Sequence, residues 1–304
     1  MGLTYHDASR LFEARCAGAS FENTLTLGRL KLFLHSHELR ALRSRYQAFT
    51  QTAATPLRSY EFGQYSDDFW TEFLGARHVT TMDYSDYEGA TLVHDMNQPV
   101  PEQFHQQFDA VIDAGSLEHI FNFPTAIRNL MLMTKVGGMV FATTVANNLC
   151  GHGFYQFSPE LMYRIFSEEN GFEPPRVVLL EGVYPAVELR PMRGAYRVID
   201  PAEAGERVCL QNTKPVMIMV DAKKKRHVVP FQSAPQQSDY VVAWNGKNGA
   251  TRTGLRRVLD SLPRWCQQEI RGFRYKRQSS FRNSRFYRKL AQQSSEMKPS
   301  AKTG

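Results

Sequence analysis

Four short apolar segments between residues 78 and 145, three of them ending in aspartate, constrain this chain most. HVTTMDY (78–84) reads as a strand ending at Asp83, ATLVHDM (90–96) as a second ending near Asp95, and FDAVIDA (108–114) as a third ending at Asp113. MVFATTV (139–145) reads as a buried strand. Before it, Phe123, Ala126, Ile127, Leu130, Met131 and Met133 recur at helical spacing and stop short of Gly137-Gly138. In SPELMYRIFSEENGF (158–172), Ser158 suits an N-cap, Pro159 the first helical position and Gly171 the position after the end. Strand and helix alternating in this way predict an α/β fold: a Rossmann-like, mostly parallel sheet with helices on both faces. RVCLQ (207–211) and PVMIMVD (215–221), joined through NTK, predict an antiparallel hairpin on the sheet edge.

The remaining chain divides by pattern. Leu25, Leu27, Leu30, Leu32, Leu34, Leu39 and Leu42 fall on one broad face at mixed three- and four-residue spacings, so residues 6–50 are expected to be helical. The expected organisation is an N-terminal helical region (1–55), a Rossmann-like domain (56–222), a linker (223–250) that begins KKKRH, and a basic, aromatic, partly disordered extension (251–304). Of the net charge of +7, that extension carries +11 and residues 1–250 carry −4. The basic balance is therefore a property of the tail and not a nucleic-acid footprint of the body.

Several chemistries are disfavoured. The four cysteines, 16, 150, 209 and 266, form no CxxC pair, which argues against a zinc site and against a disulfide framework and fits reduced thiols in a cytoplasmic protein. His35 and His37 are two apart and would diverge by about 200° on a helix, so no metal site is expected. No apolar run approaches the roughly 20 residues that span a bilayer, and the N-terminus has no signal-peptide core. GxGxxG after a strand and GxxxxGK[ST] are both missing, against dinucleotides and nucleoside triphosphates.

What remains is three carboxylates at strand ends, where open α/β sheets bind their ligands. With a glycine-containing loop at 61–66, they fit an adenosyl ligand: one carboxylate for the ribose hydroxyls, the next for the adenine amine. FDAVIDAGSLEHIFN followed by KVGGMVFATT resembles the fourth and fifth strand motifs of class I S-adenosylmethionine-dependent methyltransferases. The Leu-Glu-His triplet (117–119) and the turn at 135–138 resemble the small-molecule branch of that family, in an uncharacterised bacterial subgroup. The resemblance covers roughly residues 22–190. It implies that Asp83 holds the ribose, that Asp95 and Met96 hold the adenine, and that Asp113 through Ser116 line the methionine end. Glu61 and Gly63 would then stand for the first motif, with Tyr65 where a second glycine is usual.

Methyl transfer to oxygen benefits from a base, and His119 and His152 are the candidates. Asn147, Tyr155 and Gln156, in the Gly-flanked loop around His152, are candidates for a substrate wall. The expected activity is methylation of a small-molecule or saccharide-type acceptor. The alternative is a non-catalytic binding or scaffold protein with an altered cofactor loop. The tail, with Trp265, Phe273, Tyr275, Phe281, Phe286 and Tyr287 among its arginines, suits a solvated extension that docks on a protein, or a peripheral membrane contact. Nucleic acid suits it least.

Overall fold

The computed structural model describes residues 2–182, 194–244 and 262–290. With β8 at Arg176–Glu181, β9 at Gly194–Val198, β10 at Val216–Lys223 and β11 at Tyr287–Lys289, nine of the described strands form one sheet in the order β11-β9-β8-β10-β7-β6-β2-β4-β5. Its parallel half comprises β2 (Asn23–Leu27), β4 (His78–Asp83), β5 (Leu92–Val93), β6 (Phe108–Ala114) and β7 (Thr134–Asn147). Counted in chain order, those five stand 3-2-1-4-5, the order of a doubly wound nucleotide-binding sheet. The chain leaves β2 toward one edge and returns to build the other, so the switch point lies between β2 and β6.

Strand β6 has both faces buried. On β6, Val111 packs with α3 (Phe123–Met133), α4 (Pro159–Ile165) and Phe172, while Ala110, Ile112 and Ala114 pack with α1 (Tyr5–Cys16), α2 (Ser36–Thr50) and the single π-type turn Phe69–Phe73. Helices therefore cover both sides, as expected. A two-stranded parallel pair, β1 (Gly2–Thr4) with β3 (Lys31–Phe33), lies apart from the main sheet.

The first 50 residues depart from the helical expectation. Only α1 and α2 are helical there, and β2 is the central strand of the sheet, so this stretch belongs to the same fold as residues 56–222. The physical reason is in the spacing. Leu25/Leu27 and Leu30/Leu32/Leu34 are two apart, and the threonines that alternate with the first pair, Thr24 and Thr26, are buried on the opposite face.

The expected edge hairpin is also corrected. Residues 207–211 form no strand, and β10 (Val216–Lys223) runs antiparallel between β7 and β8 (Arg176–Glu181), inside the sheet. The start of the linker is likewise structural: Lys224 is 2% exposed, and its Nζ donates to the carbonyls of Met131 (2.7 Å) and Thr134 (2.8 Å) at the end of α3. α5 (Pro201–Ala204) and α6 (Ser238–Trp244) follow on either side of β10.

Part of the basic extension is folded rather than solvated. α7 (Arg264–Gln278) leads to β11 (Tyr287–Lys289), which pairs with β9 (Gly194–Val198) and covers its edge. Phe281 stacks on Tyr196 at 4.0 Å between ring centroids, and Phe286 and Tyr287 are buried. The expectations for 251–261 and 291–304 lie outside the described residues. Among the described residues, no helix is long and apolar enough to cross a membrane.

Candidate functional site

The carboxyl ends of β2, β4, β5 and β6 are tied to one another by hydrogen bonds. The Gly28 N–H, just past β2, donates to the Met82 carbonyl of β4 at 2.7 Å. His94, just past β5, donates its N–H to the Asp83 carbonyl at 2.9 Å. Ser116, past β6, reaches the Leu27 carbonyl through Oγ at 3.3 Å. Asp83, Asp95, Asp113 and Ser116 thus lie at the carboxyl ends of the parallel strands, on both sides of β2. Gly28 holds φ +74°, a conformation that side chains with a Cβ resist, and lets the backbone turn there.

The loop leaving the central strand is Gly28-Arg29-Leu30, not the stretch around Glu61. Glu61 and Gly63 belong to a later segment laid against β3: Gly63 N–H donates to the Leu32 carbonyl at 2.9 Å, and Leu32 N–H to the Gln64 carbonyl at 2.8 Å. The segment still adjoins the central loop, because Ser66 donates both its N–H and its hydroxyl to the Leu30 carbonyl. Tyr65 stacks beneath the Arg29 guanidinium, 4.1 Å from Cζ to the ring centroid, and Arg29 pairs with Asp67 at 2.5 Å. Gly28 and Arg29 fall inside residues 6–50, the stretch expected to be helical, and so were not among the expected cofactor residues. The period-two leucines ending in Leu27-Gly28 were the available signal.

The three aspartates differ in environment. Asp83 accepts from the Tyr84 N–H at 2.7 Å and is half-buried. Asp95 accepts from the backbone and the side chain of Asn97, and these bonds hold its carboxyl below the usual range. Met96 is buried, and its carbonyl faces Asn129. Asp113 is fully buried; Oδ1 accepts from Ser116 N–H at 2.9 Å, while Oδ2 has no hydrogen-bond partner. Burial, then the nearby Glu118 charge, push its carboxyl up to about 8, against the opposing Ser116 bonds.

Next to these ends the structure gathers Glu118, His119 and His152. Glu118 is fully buried in a short 3-10 turn (Leu117–His119), with Oε2 accepting from the Thr144 hydroxyl of β7 at 2.6 Å. Its Oε1 makes no hydrogen bond and stands 3.4 Å from His152 Nε2. The His119 and His152 rings meet at 5.0 Å, and both are exposed. The three side chains each bring one ligand atom within 4.8 Å of the others, at positions where no metal was expected. His35 precedes α2 instead of lying in it, and its ring lies 6.1 Å from that of His37.

The substrate-wall candidates are occupied with local bonds. Tyr155 Oη donates to the Phe121 carbonyl (2.7 Å), Gln156 accepts from Leu149 N–H (3.1 Å), and Asn147 donates to Asn212 (3.3 Å). Exposed rings lie beside them instead: Phe121 and Phe154, edge to face at 5.9 Å.

The sequence matches no known family model and no curated protein. Among solved structures, the chain is similar to a SAM-dependent methyltransferase from Archaeoglobus fulgidus, with 12% identity, TM-score 0.39 and coverage of 71% of this chain and 92% of that one. It is similar also to the 1,6-didemethyltoxoflavin N1-methyltransferase of Burkholderia thailandensis, solved with S-adenosylhomocysteine (12%, TM-score 0.36, 72% and 78%). TehB from Haemophilus influenzae is a third (13%, TM-score 0.37, 71% and 62%). Likenesses of this size carry no weight for activity. The class defined by the chain's own strand order is the doubly wound, Rossmann-like α/β sheet.

Proposed function

We propose that this chain is an S-adenosylmethionine-dependent methyltransferase acting on a small-molecule or saccharide-type acceptor. The observation that carries the reading is the carboxyl end of the parallel strands, beside the switch point, where the ends of β2, β4, β5 and β6 are hydrogen-bonded together and carry Asp83, Asp95 and Asp113. The residues fit the cofactor on its nucleoside side. Asp83 can accept both ribose hydroxyls, Asp95 and Met96 can meet adenine, and the orphaned Asp113 Oδ2 with Ser116 belongs to the methionine end. S-Adenosylmethionine supplies a methyl group on a sulfonium sulfur; methylating a hydroxyl makes a C–O bond, breaks that C–S bond and releases one proton. The protein's share is chiefly alignment. His119, His152 and the Phe121–Phe154 rings mark the acceptor side.

One observation favours the second reading, a non-catalytic binding protein. The chain after Gly28 enters β3 before any helix begins, and Arg29 with Tyr65 stands at that loop. Calorimetric titration of the full chain with S-adenosylhomocysteine decides between the two. Saturable binding supports the enzyme; no heat and no thermal shift at millimolar ligand would leave the scaffold reading.

A further inference from the structure

We propose that Glu118, His119 and His152 form a binding site for one divalent transition-metal cation of the manganese–zinc class. Two imidazoles and one carboxylate form a mixed nitrogen and oxygen donor set that binds such ions and leaves coordination positions open. The donor distances agree. Ligand atoms bound 2.0–2.2 Å from a tetrahedral ion sit about 3.4 Å apart, and Glu118 Oε1 lies 3.4 Å from His152 Nε2. All three donors fall within 4.8 Å, a spread that rotation of the exposed His119 ring can close.

The independent sign is Glu118 Oε1. It is a fully buried carboxylate oxygen without a hydrogen bond, aimed at an exposed imidazole, and such an atom is costly unless something meets it. Its sister oxygen is held by Thr144, the kind of outer support that fixes a metal ligand. The backbone is fixed as well. Phe154 N–H donates to the Glu118 carbonyl at 2.7 Å, which pins the His152 loop against the Glu118 turn. Gly153 permits this: its φ is +74°, and a Cβ there would come within 2.6 Å of that carbonyl oxygen.

The binding of the cation stands by itself; its use rests on the methyltransfer reading. In that use the histidines serve as ligands and not as bases. An acceptor hydroxyl takes an open position, its pKa falls, its proton leaves to water, and its oxygen forms the new C–O bond as the C–S bond breaks. Three protein donors leave one position open on a tetrahedral ion, and expansion to five-coordination adds a second, which would favour acceptors with neighbouring oxygens, such as a diol or a hydroxy-acid.

The test uses chelator-treated, untagged full-length protein titrated with Mn2+, followed by loss of the free-ion electron paramagnetic resonance signal. Manganese is chosen because it disfavours thiolates and so passes over Cys150. One ion per chain is expected. His119→Ala, His152→Ala and the near-isosteric Glu118→Gln should each weaken binding at least tenfold, while His78→Ala, at the opposite end of the strands, leaves it unchanged. Metal-free melting curves check that the two exposed histidine variants fold like wild type. No bound Mn2+ at millimolar concentration, or equal binding by the His119→Ala/His152→Ala double variant, overturns the site. S-Adenosylhomocysteine affinity, measured without cation, is read separately. Cofactor binding without Mn2+ binding sinks the metal site alone, and the reverse sinks the methyltransfer reading alone.

Discussion

Arg29 lies over the face of Tyr65, 4.1 Å from guanidinium carbon to ring centroid, at the loop that leaves the central strand. The ring is thus committed to a cation–π contact, and the guanidinium is held at that loop, paired with Asp67. If Arg29 meets the amino-acid carboxylate there, Arg29→Ala should weaken S-adenosylhomocysteine binding by about 1.5–3 kcal/mol, the range for hydrogen bonds to charged groups. Adenosine, which lacks that carboxylate, should bind both forms alike, and Tyr65→Phe should change neither ligand because the contact is through the ring face. Calorimetry with the two ligands checks this. Equal losses for both would mean that Arg29 acts only by shaping the loop.

Asp83 ends β4 with its carboxylate engaged only by the adjacent Tyr84 N–H in the bonds seen at this edge. Its proposed partners are the ribose hydroxyls. Asp83→Ala should therefore weaken both S-adenosylhomocysteine and adenosine, again by about 1.5–3 kcal/mol. Asp83→Asn, which keeps one acceptor oxygen, should lose less. Unchanged adenosine affinity in Asp83→Ala would remove the ribose assignment.

What the sequence revealed follows from which signals were local. Strands ending at Asp83 and Asp113, with the helix carrying Ala126, Ile127 and Leu130, have a clear period and are found where expected. The central strand was obscured because Leu25 and Leu27 precede Leu30, Leu32 and Leu34, which lie on a different hydrophobic cluster. Pooled, the five leucines imitate a helix face. The Glu118–His152 approach was invisible for another reason: the residues are 34 positions apart, and a loop pinned by one Phe154 N–H bond brings them together. Nor could charge pattern reveal that Lys224, within a run of basic residues, points inward.

Arg10 fastens α1 to the middle of the sheet. It is 5% exposed and reaches Asp221 (2.9 Å), the Thr143 hydroxyl (2.7 Å) and the carbonyls of Ala142 and Val220. Removing Arg10 leaves Asp221 with only Arg176, 3.7 Å away, so Arg10→Met should destabilise the fold toward the lower end of the roughly 3–5 kcal/mol seen when one member of a buried pair is lost, measured in urea unfolding. The pH dependence follows from Asp221. Burial raises its carboxyl above the ordinary value, and Arg10 is the first of the groups opposing that rise. A native group with a raised value holds a proton that the unfolded chain has released, so its presence lowers stability as pH rises above about 4. Without Arg10 the value rises further. The deficit of Arg10→Met should therefore grow from pH 4 toward 7, and Arg10→Met/Asp221→Asn should recover part of it. A deficit independent of pH would mean that lost packing of the long side chain, not the stranded carboxylate, dominates.

Lys224 supplies the opposite sign. Burial pulls its amine down to about 8 from an ordinary 10.5, while Nζ donates to two carbonyls at the end of α3. A neutral amine still has two N–H donors for those two acceptors, so deprotonation relieves a buried charge without breaking the bonds. Between about pH 8 and 10.5 the unfolded chain keeps a proton that the native state has lost. Unfolding then takes up a proton, and stability gains up to about 1.4 kcal/mol per pH unit from this residue. Lys224→Met has no such group. The stability of wild type minus that of Lys224→Met, from urea titrations at matched pH, should be flat below about pH 7 and climb between 8 and 10. Other lysines and tyrosines titrate in both proteins and largely cancel in the difference. A flat difference across the whole range would mean that the amine titrates at its ordinary value and that water reaches it.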